Sequence, residues 1–420
     1  MTTRSSVRHT AFASAWQTLL PIGLGPAGGY RRLAWNDADL ACRQWFRAQA
    51  QARDLILDED GNGNQWAWWG EPGAGAVVTG SHLDSVPGGG AFDGPLGVVS
   101  GFVAIDVLRE RGVTRKRPVA VTNFSDEEGG RFGIACIGSR LMSGDADPAT
   151  LLARVDEAGV TMGDARRRGG LLPDAAGPDP ARLGRIATFV ELHIEQGRRL
   201  VDLDVAVGVA TAVWPHGRWR IDFAGRGDHA GTTRLADRRD PVLPMAETIL
   251  AARRAAHDHD ALATVGRLAV VPGATNAIAS HATAWLDARA PGSDTVRRVV
   301  EAVGGAATRA GAEHGVGVEV AEESWSGGAH FGAELRERLA ATVKDRLGAV
   351  AVLPTGAGHD AAILAAHVPS AMLFVRNPTG VSHDPAEHAT LEDCLAGVEA
   401  LAAVLEDLIS EDPIPEAPVS

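Results

Sequence analysis

A short apolar run that ends in a histidine and two aspartates constrains this chain more than any other stretch. The run from Ala74 to Gly80 contains two adjacent valines and is typical of a buried strand that ends near His82. A glycine-rich turn with Asp84 and Asp93 follows, and Pro95 suits the first position of a helix. In an open α/β sheet, this order places side chains at the carboxyl ends of the strands, where such folds bind ligands. The stretch predicts an α/β fold with a functional site at that edge.

Three later strand-like runs end in the same kinds of polar residue. The residues that follow these runs are Glu127 and Glu128, then His193, and finally His383. Any one of the 14 histidines is more often structural than a ligand. Because a doubly wound sheet gathers the loops after its strands, we expect these four residues to meet the His and Asp of the first stretch.

The residue types in this predicted cluster indicate metal-dependent hydrolysis. Imidazole and carboxylate ligands without thiolates suit Zn²⁺, and also Mn²⁺, Co²⁺ or Ni²⁺. The cluster can hold two ions if one carboxylate bridges them, and Asp93 is the natural bridge. Asp84, two residues from His82, can fix the tautomer of that ring. Of Glu127 and Glu128, one can bind metal while the other acts as general base toward water.

Composition excludes several classes of protein. A chain of 420 residues with 45% hydrophobic content can supply cores for two domains. The formal net charge of -13 argues against nucleic acid or an anionic membrane as partner. No apolar run approaches the ~20 residues of a membrane span, and residues 10–25 are better explained as an amphipathic helix than as a signal peptide. Three scattered cysteines predict no disulfide framework and fit a cytoplasmic location.

The pattern along the chain also predicts its division into domains. After Val209 the parallel pattern gives way to half-exposed, antiparallel-looking strands and helices, which is typical of an inserted α+β domain. We expect a catalytic domain formed by residues 1–210 and 328–412, and an inserted domain formed by residues 211–327. Residues 413–420, rich in proline, are predicted to be disordered.

Seven motifs occur along the chain in a defined order. They are Gly80–Asp84, Gly89–Gly94, Asp126–Gly129, Glu191–Gly197, Asp228–Thr233, Gly273–Asn276 and Ser382–Glu387. In sequence and order they resemble the motifs of the N-carbamoyl-L-amino-acid amidohydrolase and allantoate amidohydrolase family, the hydantoinase/carbamoylase branch of the di-zinc aminoacylase clan. The resemblance implies a doubly wound, di-zinc aminopeptidase-like catalytic domain with an inserted α+β lid and dimerisation domain.

The resemblance also implies a role for each residue of the metal cluster. The expected ligands are His82, Asp93 and His193 for one ion, and Asp93, Glu128 and His383 for the other. Glu127 would be the general base toward a water that bridges the ions, and Asp84 would assist catalysis. Two divalent ions are expected, with Zn²⁺ as the first choice for a branch of a di-zinc clan and Mn²⁺, Co²⁺ or Ni²⁺ as alternatives. His193 stands where peptidase relatives carry a carboxylate, which favours the ureido-cleaving branch.

Substrate recognition is expected to involve both domains. By the resemblance, His229 polarises the scissile carbonyl, while Asn276 and Arg289 hold the substrate carboxylate. The predicted substrate-binding residues are Gln196, His216, Asn276, Arg289 and Gly358. The alternative interpretations are a capped turn for Asn276 and a surface ion pair for Arg289. Departures from the family pattern at His216, Arg198, Arg234 and Arg376 leave the side-chain pocket undetermined.

These expectations describe a small-molecule hydrolase. Its substrate would be a ureido compound that carries a carboxylate, either an N-carbamoyl-L-amino acid or an allantoate-like compound, and the protein would dimerise through the lid domain. Two alternatives stay open at this point. One is an aminoacylase or dipeptidase on the same metal frame, and the other is a binding protein that has kept the fold without the chemistry.

Overall fold

The computed structural model of the protein describes residues 4–411, with side chains from residue 7 onward. The chain divides into two compact units. Unit 1 extends to Ala212 and resumes at His330, and unit 2 comprises Val213–Ala329. The divisions predicted from sequence fall two residues earlier at both ends of the insertion. The predicted disordered tail at residues 413–420 lies outside the described residues.

The two units contain thirteen α-helices and fifteen strands among the described residues. The helices are α1 Arg4–Leu19, α2 Asp37–Gln51, α3 Pro95–Glu110, α4 Ile137–Ser143, α5 Pro148–Leu152, α6 Met162–Arg168, α7 Pro180–Leu183, α8 Arg199–Asp202, α9 Val242–Asp258, α10 Ser293–His314, α11 Ala333–Leu347, α12 Asp360–Leu364 and α13 Leu391–Ile409. The strands are β1 Ile56–Glu59, β2 Gln65–Trp69, β3 Ala76–His82, β4 Val119–Phe124, β5 Ile186–Ile194, β6 Val207–Val213, β7 His216–Ala224, β8 Asp228–His229, β9 Leu262–Val271, β10 Ala277–Ile278, β11 His281–Arg289, β12 Gly317–Ser326, β13 Ala329–His330, β14 Ala351–Thr355 and β15 Ser370–Val375.

The sheet of unit 1 is parallel at its centre and antiparallel toward both sides. Its strand order includes β1-β2-β4-β3-β5-β15-β6, and β14 also pairs with β6. Strands β4, β3, β5 and β15 run parallel, whereas β2 and β6 are antiparallel to their neighbours. Every residue of β3 and β4 is buried, as expected for strands covered on both faces. The carboxyl ends of the parallel strands therefore share one edge.

Helix α3 begins beside that edge and lies close to the sheet. Pro95 occupies the first turn, where a missing N–H costs nothing, and Gly94 before it has φ +83°. A Cβ on Gly97 would lie 2.2 Å from the carbonyl oxygen of Leu192 in β5. The helix can approach the sheet backbone only because position 97 carries no side chain. On its other sides α3 contacts α1 and α13.

Unit 2 is an α+β layer with its own core. Its antiparallel sheet has the order β12-β7-β11-β9, and β8 pairs separately with β10. Helices α9 and α10 pack against each other and against the sheet through alternating apolar residues such as Ile221, Phe223 and Leu286. Strand β9 is an edge of this sheet. No helix in the described part of the chain is both long and apolar enough to cross a membrane.

Candidate active site

Three side chains from neighbouring parts of the sheet edge converge on one buried point. His82 ends β3, His193 lies near the end of β5, and Asp93 comes from the loop before α3. Nε2 of His193 lies 3.2 Å from Oδ1 of Asp93, and Nε2 of His82 lies 3.7 Å from the same oxygen. Their ligand atoms all lie within 4.8 Å of one another, which is a spacing that one metal ion can span.

The hydrogen bonds of the two rings determine which nitrogen faces Asp93. Nδ1 of His82 lies 3.1 Å from the carbonyl oxygen of Asp84, and Nδ1 of His193 lies 2.9 Å from that of Ile194. A carbonyl oxygen only accepts, so each Nδ1 carries the hydrogen. Both Nε2 atoms are buried without a hydrogen-bond partner among the described residues. When both rings are neutral, two imidazole lone pairs face one carboxylate, an arrangement that suits a cation between them.

A second group shares Asp93 through its other oxygen. Nε2 of His383 lies 3.4 Å from Oδ2 of Asp93 and 3.3 Å from Oε2 of Glu128. The Glu128 carboxylate raises the pKa of His383 to about 9. Burial alone would raise the pKa of Asp93, yet His193 and His82 hold it well below its usual range. An ionised Asp93 with one oxygen toward each group fits a pair of metal ions.

A rival grouping of Glu191, His193 and His359 also brings ligand atoms within 4.8 Å. However, Oε1 of Glu191 accepts a hydrogen bond from Ser81, and Oε2 accepts one from the Ala361 N–H. Both oxygens of this carboxylate are therefore engaged within the protein, whereas only Oδ2 of Asp93 accepts such hydrogen bonds, from Gln196 and Ser382. The two groups that share Asp93 fit metal ions better.

Asp84 supports the site through the backbone. Its two oxygens accept hydrogen bonds from the N–H groups of Glu127 and Glu128, at 3.1 and 3.0 Å. We expected its carboxylate to take the ring hydrogen of His82, but Oδ1 is 3.5 Å from that nitrogen and the backbone carbonyl of Asp84 is closer. The carboxylate is already committed to two N–H donors. Asp84 thus connects the His82 loop with the Glu127 loop.

Glu127 has the environment of a proton-transfer group. Glu127 is only 5% exposed, and its Oε2 lies 3.7 Å from Nε2 of His82. Burial raises the pKa of Glu127 well above its usual value, against the attraction of His82. A carboxyl with a raised pKa can both accept and return a proton near neutral pH.

Two further predicted residues lie beside the metal cluster. Nε2 of Gln196 donates to Oδ2 of Asp93 at 2.7 Å and to Oγ of Ser382 at 3.1 Å. Gly358 lies in the loop between β14 and α12, directly before His359. Because the His359 ring stacks edge-on to His193 at 4.5 Å, the Gly358 loop also reaches the cluster.

The sequence interpretation gave no firm role to two residues that the structure places in contact with the cluster. His359 is 2% exposed, and burial together with the neighbouring His193 lowers its pKa well below the usual value. Oε1 of Glu387 accepts the N–H groups of Phe92 and Asp93 at 3.0 and 2.9 Å. Both belong to motifs visible in the sequence, Gly356–Asp360 and Ser382–Glu387. Motif membership could have suggested them, although their contacts could not be derived from it.

In unit 2, His229 ends strand β8, and Asn276 directly precedes strand β10, which pairs with β8. The N–H groups of Gly231 and Thr232 donate to Nδ1 of His229 at 3.0 and 3.2 Å. Nδ1 therefore accepts, and the ring hydrogen of the neutral imidazole is on Nε2. The carbonyl of Asn276 accepts the N–H of Ala230 at 3.1 Å, which brings the two segments together. Both side chains are exposed.

His216 and Arg289 are cross-strand partners elsewhere in unit 2. They pair where β7 begins and β11 ends. Arg289 donates to both oxygens of Asp287, with Nε–Oδ1 at 2.7 Å and Nη2–Oδ2 at 3.0 Å. This is the ion pair that we considered as an alternative for Arg289. Burial lowers the pKa of His216, so its ring is neutral at pH 7.

Comparisons with known proteins identify the family to which this chain belongs. The model of Peptidase family M20/M25/M40 matches residues 78–407. An N-carbamoyl-L-amino acid amidohydrolase of Geobacillus stearothermophilus is 35% identical over 92% of this chain and 96% of its own length. Allantoate amidohydrolase of Escherichia coli (strain K12) is 31% identical, with coverages of 95% and 98%. A crystal structure of a hydantoinase/carbamoylase family amidase from Burkholderia vietnamiensis superimposes with a TM-score of 0.89 at 31% identity, covering 96% of this chain and 98% of the other.

The family resemblance and the α/β fold class predicted from the motifs are thereby confirmed. The matches extend over nearly the whole chain and over nearly the whole length of the relatives. This chain belongs to peptidase family M20/M25/M40 and, within it, to the group that includes the N-carbamoyl-L-amino-acid and allantoate amidohydrolases.

Proposed function

We propose that this protein is a metal-dependent amidohydrolase that cleaves the carbamoyl C–N bond of an N-carbamoyl-L-amino acid or an allantoate-like compound. One observation carries the proposal. The Nε2 atoms of His82 and His193 have no hydrogen-bond partner among the described residues, and both face the carboxylate of Asp93 beside the buried Glu127. The relatives named above act on carbamoyl amino acids and allantoate. Their near-complete coverage supports the same reaction class here.

The residues that would hold two divalent ions are those of the two groups that share Asp93. They are His82, Asp93 and His193 for one ion, and Asp93, Glu128 and His383 for the other. Zn²⁺ is the ion that we propose, because nitrogen and oxygen ligands without thiolate suit it, as they also suit Mn²⁺, Co²⁺ and Ni²⁺. Bound ions of this kind acidify water and polarise a carbonyl oxygen.

Glu127 would carry the proton through the reaction. Its Oε2 accepts a proton from the attacking water, whose oxygen forms a bond to the ureido carbon. The C–N bond then breaks, and Glu127 returns the proton to the leaving amine nitrogen. The carbamate that is released decomposes to ammonia and carbon dioxide. Asp84 keeps the backbone of Glu127 in place during both transfers through its hydrogen bond to the N–H.

Unit 2 would supply substrate recognition. Nε2–H of His229 is the donor that we assign to the carbonyl oxygen of the substrate, and Asn276 and Arg289 are the residues that we assign to its carboxylate. To bind there, Arg289 would exchange its ion pair with Asp287 for the substrate carboxylate. Gln196, His216 and Gly358 complete the proposed substrate contacts. These groups account for a carbonyl oxygen and a carboxylate in the substrate, and the relatives named above favour the carbamoyl class among compounds that carry both.

Ammonia release from carbamoyl compounds tests the proposed reaction. Protein loaded with Zn²⁺, Mn²⁺ or Co²⁺ is expected to release ammonia from N-carbamoyl-L-amino acids or allantoate, and to leave N-acetyl amino acids and dipeptides intact. Glu127→Gln should lower kcat by about 10²–10⁴-fold with unchanged metal content. Glu128→Gln is the matched variant and should instead lose bound metal. Hydrolysis of dipeptides without ammonia release, or a fully active Glu127→Gln protein, contradicts the proposal.

A homodimer through unit 2 is the assembly that we propose. The ten-residue strand β9 is an edge that exposes Leu262, Leu268 and Val271, and α9 exposes Leu243 and Leu250. An edge strand with exposed apolar side chains is typical of a surface that pairs with another chain. The net charge of -13 and three free, buried cysteines support a cytoplasmic protein with a small-molecule substrate, without nucleic-acid or membrane partners.

Light scattering after size-exclusion chromatography tests this assembly. We expect twice the chain mass of 43.8 kDa for the unaltered protein. Leu268→Arg should give the monomer mass, because a buried, unpaired charge opposes association. Val352→Arg is the control, since it places the same charge on an equally exposed strand residue of unit 1. A monomeric unaltered protein, or dissociation by both variants, contradicts the proposed interface.

A further inference from the structure

A buried thiol contacts the residue that we propose as the general base. Sγ of Cys136 lies 3.4 Å from Oε1 of Glu127, and the two residues are only 2% and 5% exposed. Cys136 comes directly before α4, nine positions after Glu127. Among the described residues, no other hydrogen-bond donor reaches the Glu127 carboxylate. Oε2, the oxygen away from the thiol, is the one that lies near Nε2 of His82.

The backbone at Cys136 adopts a conformation that normally favours glycine. Its φ and ψ are +58° and +38°, where a Cβ crowds the neighbouring carbonyl group. The conformation is held by hydrogen bonds from the Cys136 N–H to the Glu127 carbonyl at 2.7 Å and from the Ile137 N–H to the Asp126 carbonyl at 3.1 Å. Cys136 thus occupies a strained backbone position at the point where its side chain contacts Glu127. Strain of this kind is typical of residues that are held in place for a function.

The chemical state of the thiol makes it a hydrogen-bond donor. Burial, together with the carboxyls of Glu127 and Asp360, raises the pKa of the Cys136 thiol well above its usual value. The group therefore keeps its S–H. A protonated, buried thiol is neither a nucleophile nor a soft metal ligand, but it can donate to a carboxylate oxygen.

We propose that Cys136 is a positioning residue that donates its S–H to Oε1 of Glu127 and so keeps Oε2 directed toward His82. The inference rests on the proposed function, in which Oε2 takes the proton from water. Without the thiol, the Glu127 carboxylate can rotate about its terminal torsion, because such sp³–sp² torsions have broad minima. The thiol would therefore affect the rate of proton transfer and leave substrate binding unaffected.

Kinetics of two variants with a matched control test the positioning role. We expect Cys136→Ala to lower kcat by about tenfold, with unchanged KM and metal content. Cys136→Ser should retain a higher kcat than Cys136→Ala, because its hydroxyl can still donate. Cys394→Ala removes an equally buried thiol from α13 and should leave kcat and KM unchanged. An alanine variant with the original kcat, or a serine variant as impaired as the alanine variant, overturns the proposal.

The S–H stretching band in the infrared spectrum provides a test that needs no substrate. The protein has three thiols, at Cys42, Cys136 and Cys394, and variants at each assign the bands. The Cys136 band is expected at the lowest wavenumber, and Glu127→Gln should move it higher because an amide oxygen accepts more weakly than a carboxylate. A Cys136 band that does not respond to Glu127→Gln overturns the hydrogen bond. A band that responds, in a Glu127→Gln protein that remains fully active, refutes Glu127 as the base but leaves the hydrogen bond intact.

Discussion

At the scale of single residues, the carboxylate of Asp84 holds together two loops that are distant in sequence. Each of its oxygens accepts one backbone N–H, from Glu127 and from Glu128, and its own carbonyl accepts the ring hydrogen of His82. One residue thereby fixes a proposed metal ligand, the proposed base and a second ligand. Its side chain is 3% exposed, so water cannot replace either hydrogen bond.

Replacing Asp84 by asparagine is expected to destabilise the protein. An asparagine has one oxygen and one NH₂ group, so one of the two backbone N–H groups would face another donor in a buried position. We expect the free energy of unfolding, measured by urea denaturation, to fall by about 1–3 kcal/mol and kcat to fall with it.

Asp147→Asn is the matched control for Asp84→Asn. Asp147 also accepts a backbone N–H, that of Thr150 at 2.8 Å, but it does so with a single oxygen at an exposed helix start. Asparagine is as good a residue at such a position, so we expect no measurable loss of stability. Equal stability of the two variants contradicts the role given to Asp84.

At the scale of elements, the contact between α3 and β5 determines how closely the Asp93 loop approaches His193. Gly97 and Gly101 face the sheet from consecutive turns of the helix. A Cβ at position 97 would meet a backbone carbonyl at 2.2 Å, whereas at position 101 it would meet a methyl group of Val121 at 3.0 Å. A methyl group can move aside by changing its side-chain conformation, but the backbone of a central strand cannot.

Gly97→Ala is therefore expected to destabilise unit 1 more than Gly101→Ala. The larger effect should be about 1–3 kcal/mol, the usual cost of overpacking, and should be accompanied by weaker metal binding because α3 and its preceding loop shift together. Urea denaturation and metal analysis of both variants measure these effects. A smaller loss for Gly97→Ala than for Gly101→Ala contradicts this account of the helix–sheet contact.

Local patterns predicted some elements well and others not at all. The helix expected to begin at Pro95 is α3, and the strand expected before His82 is β3, because each has a clear start or end in the sequence. Strand β14 was not predicted, since Ala351–Thr355 is short and contains a proline, which disfavours a strand. The antiparallel pairing of β6 in the catalytic sheet was also missed, because short runs do not reveal their partners.

The same limit applies to the site. The convergence of the residues of the two proposed metal-binding groups was predicted because strand ends meet at one edge of a parallel sheet. The contacts of Cys136 with Glu127 and of Glu387 with the Asp93 N–H were not, because they depend on how loops fold over that edge. Nor does sequence specify which nitrogen of His82 carries the hydrogen, since that follows from the distance to one carbonyl oxygen.

At the scale of the whole molecule, unit 1 buries several acidic groups that interact with one another. Asp93, Asp126, Glu127 and Asp360 are all buried around two histidines. Burial raises the pKa values of Asp126 and Asp360 well above their usual range, and nearby carboxylates add to the shift. Repulsion among these groups opposes folding, and bound cations would offset it.

Metal removal is therefore expected to lower the stability of the folded protein. A ligand present at a hundred times its Kd stabilises the native state by about 2.7 kcal/mol. We expect chelator-treated protein to unfold at a lower temperature, and added Zn²⁺, Mn²⁺ or Co²⁺ to restore the original value. Asp93→Asn is the control, because Asp93 belongs to both proposed ion sites. This variant should unfold at nearly the same temperature with and without chelator. An unaltered melting temperature after verified metal removal contradicts the proposed pair of ions.

The residue before helix α3 limits which stabilising substitutions this protein can accept. Gly94 precedes Pro95 at φ +83°, and a Cβ there would lie 2.4 Å from Cε1 of His82. A better helix-capping residue at this position would displace a proposed ligand from its place. Position 94 therefore cannot accept a substitution that stabilises the helix, and variants with higher thermal stability must carry their changes at other positions.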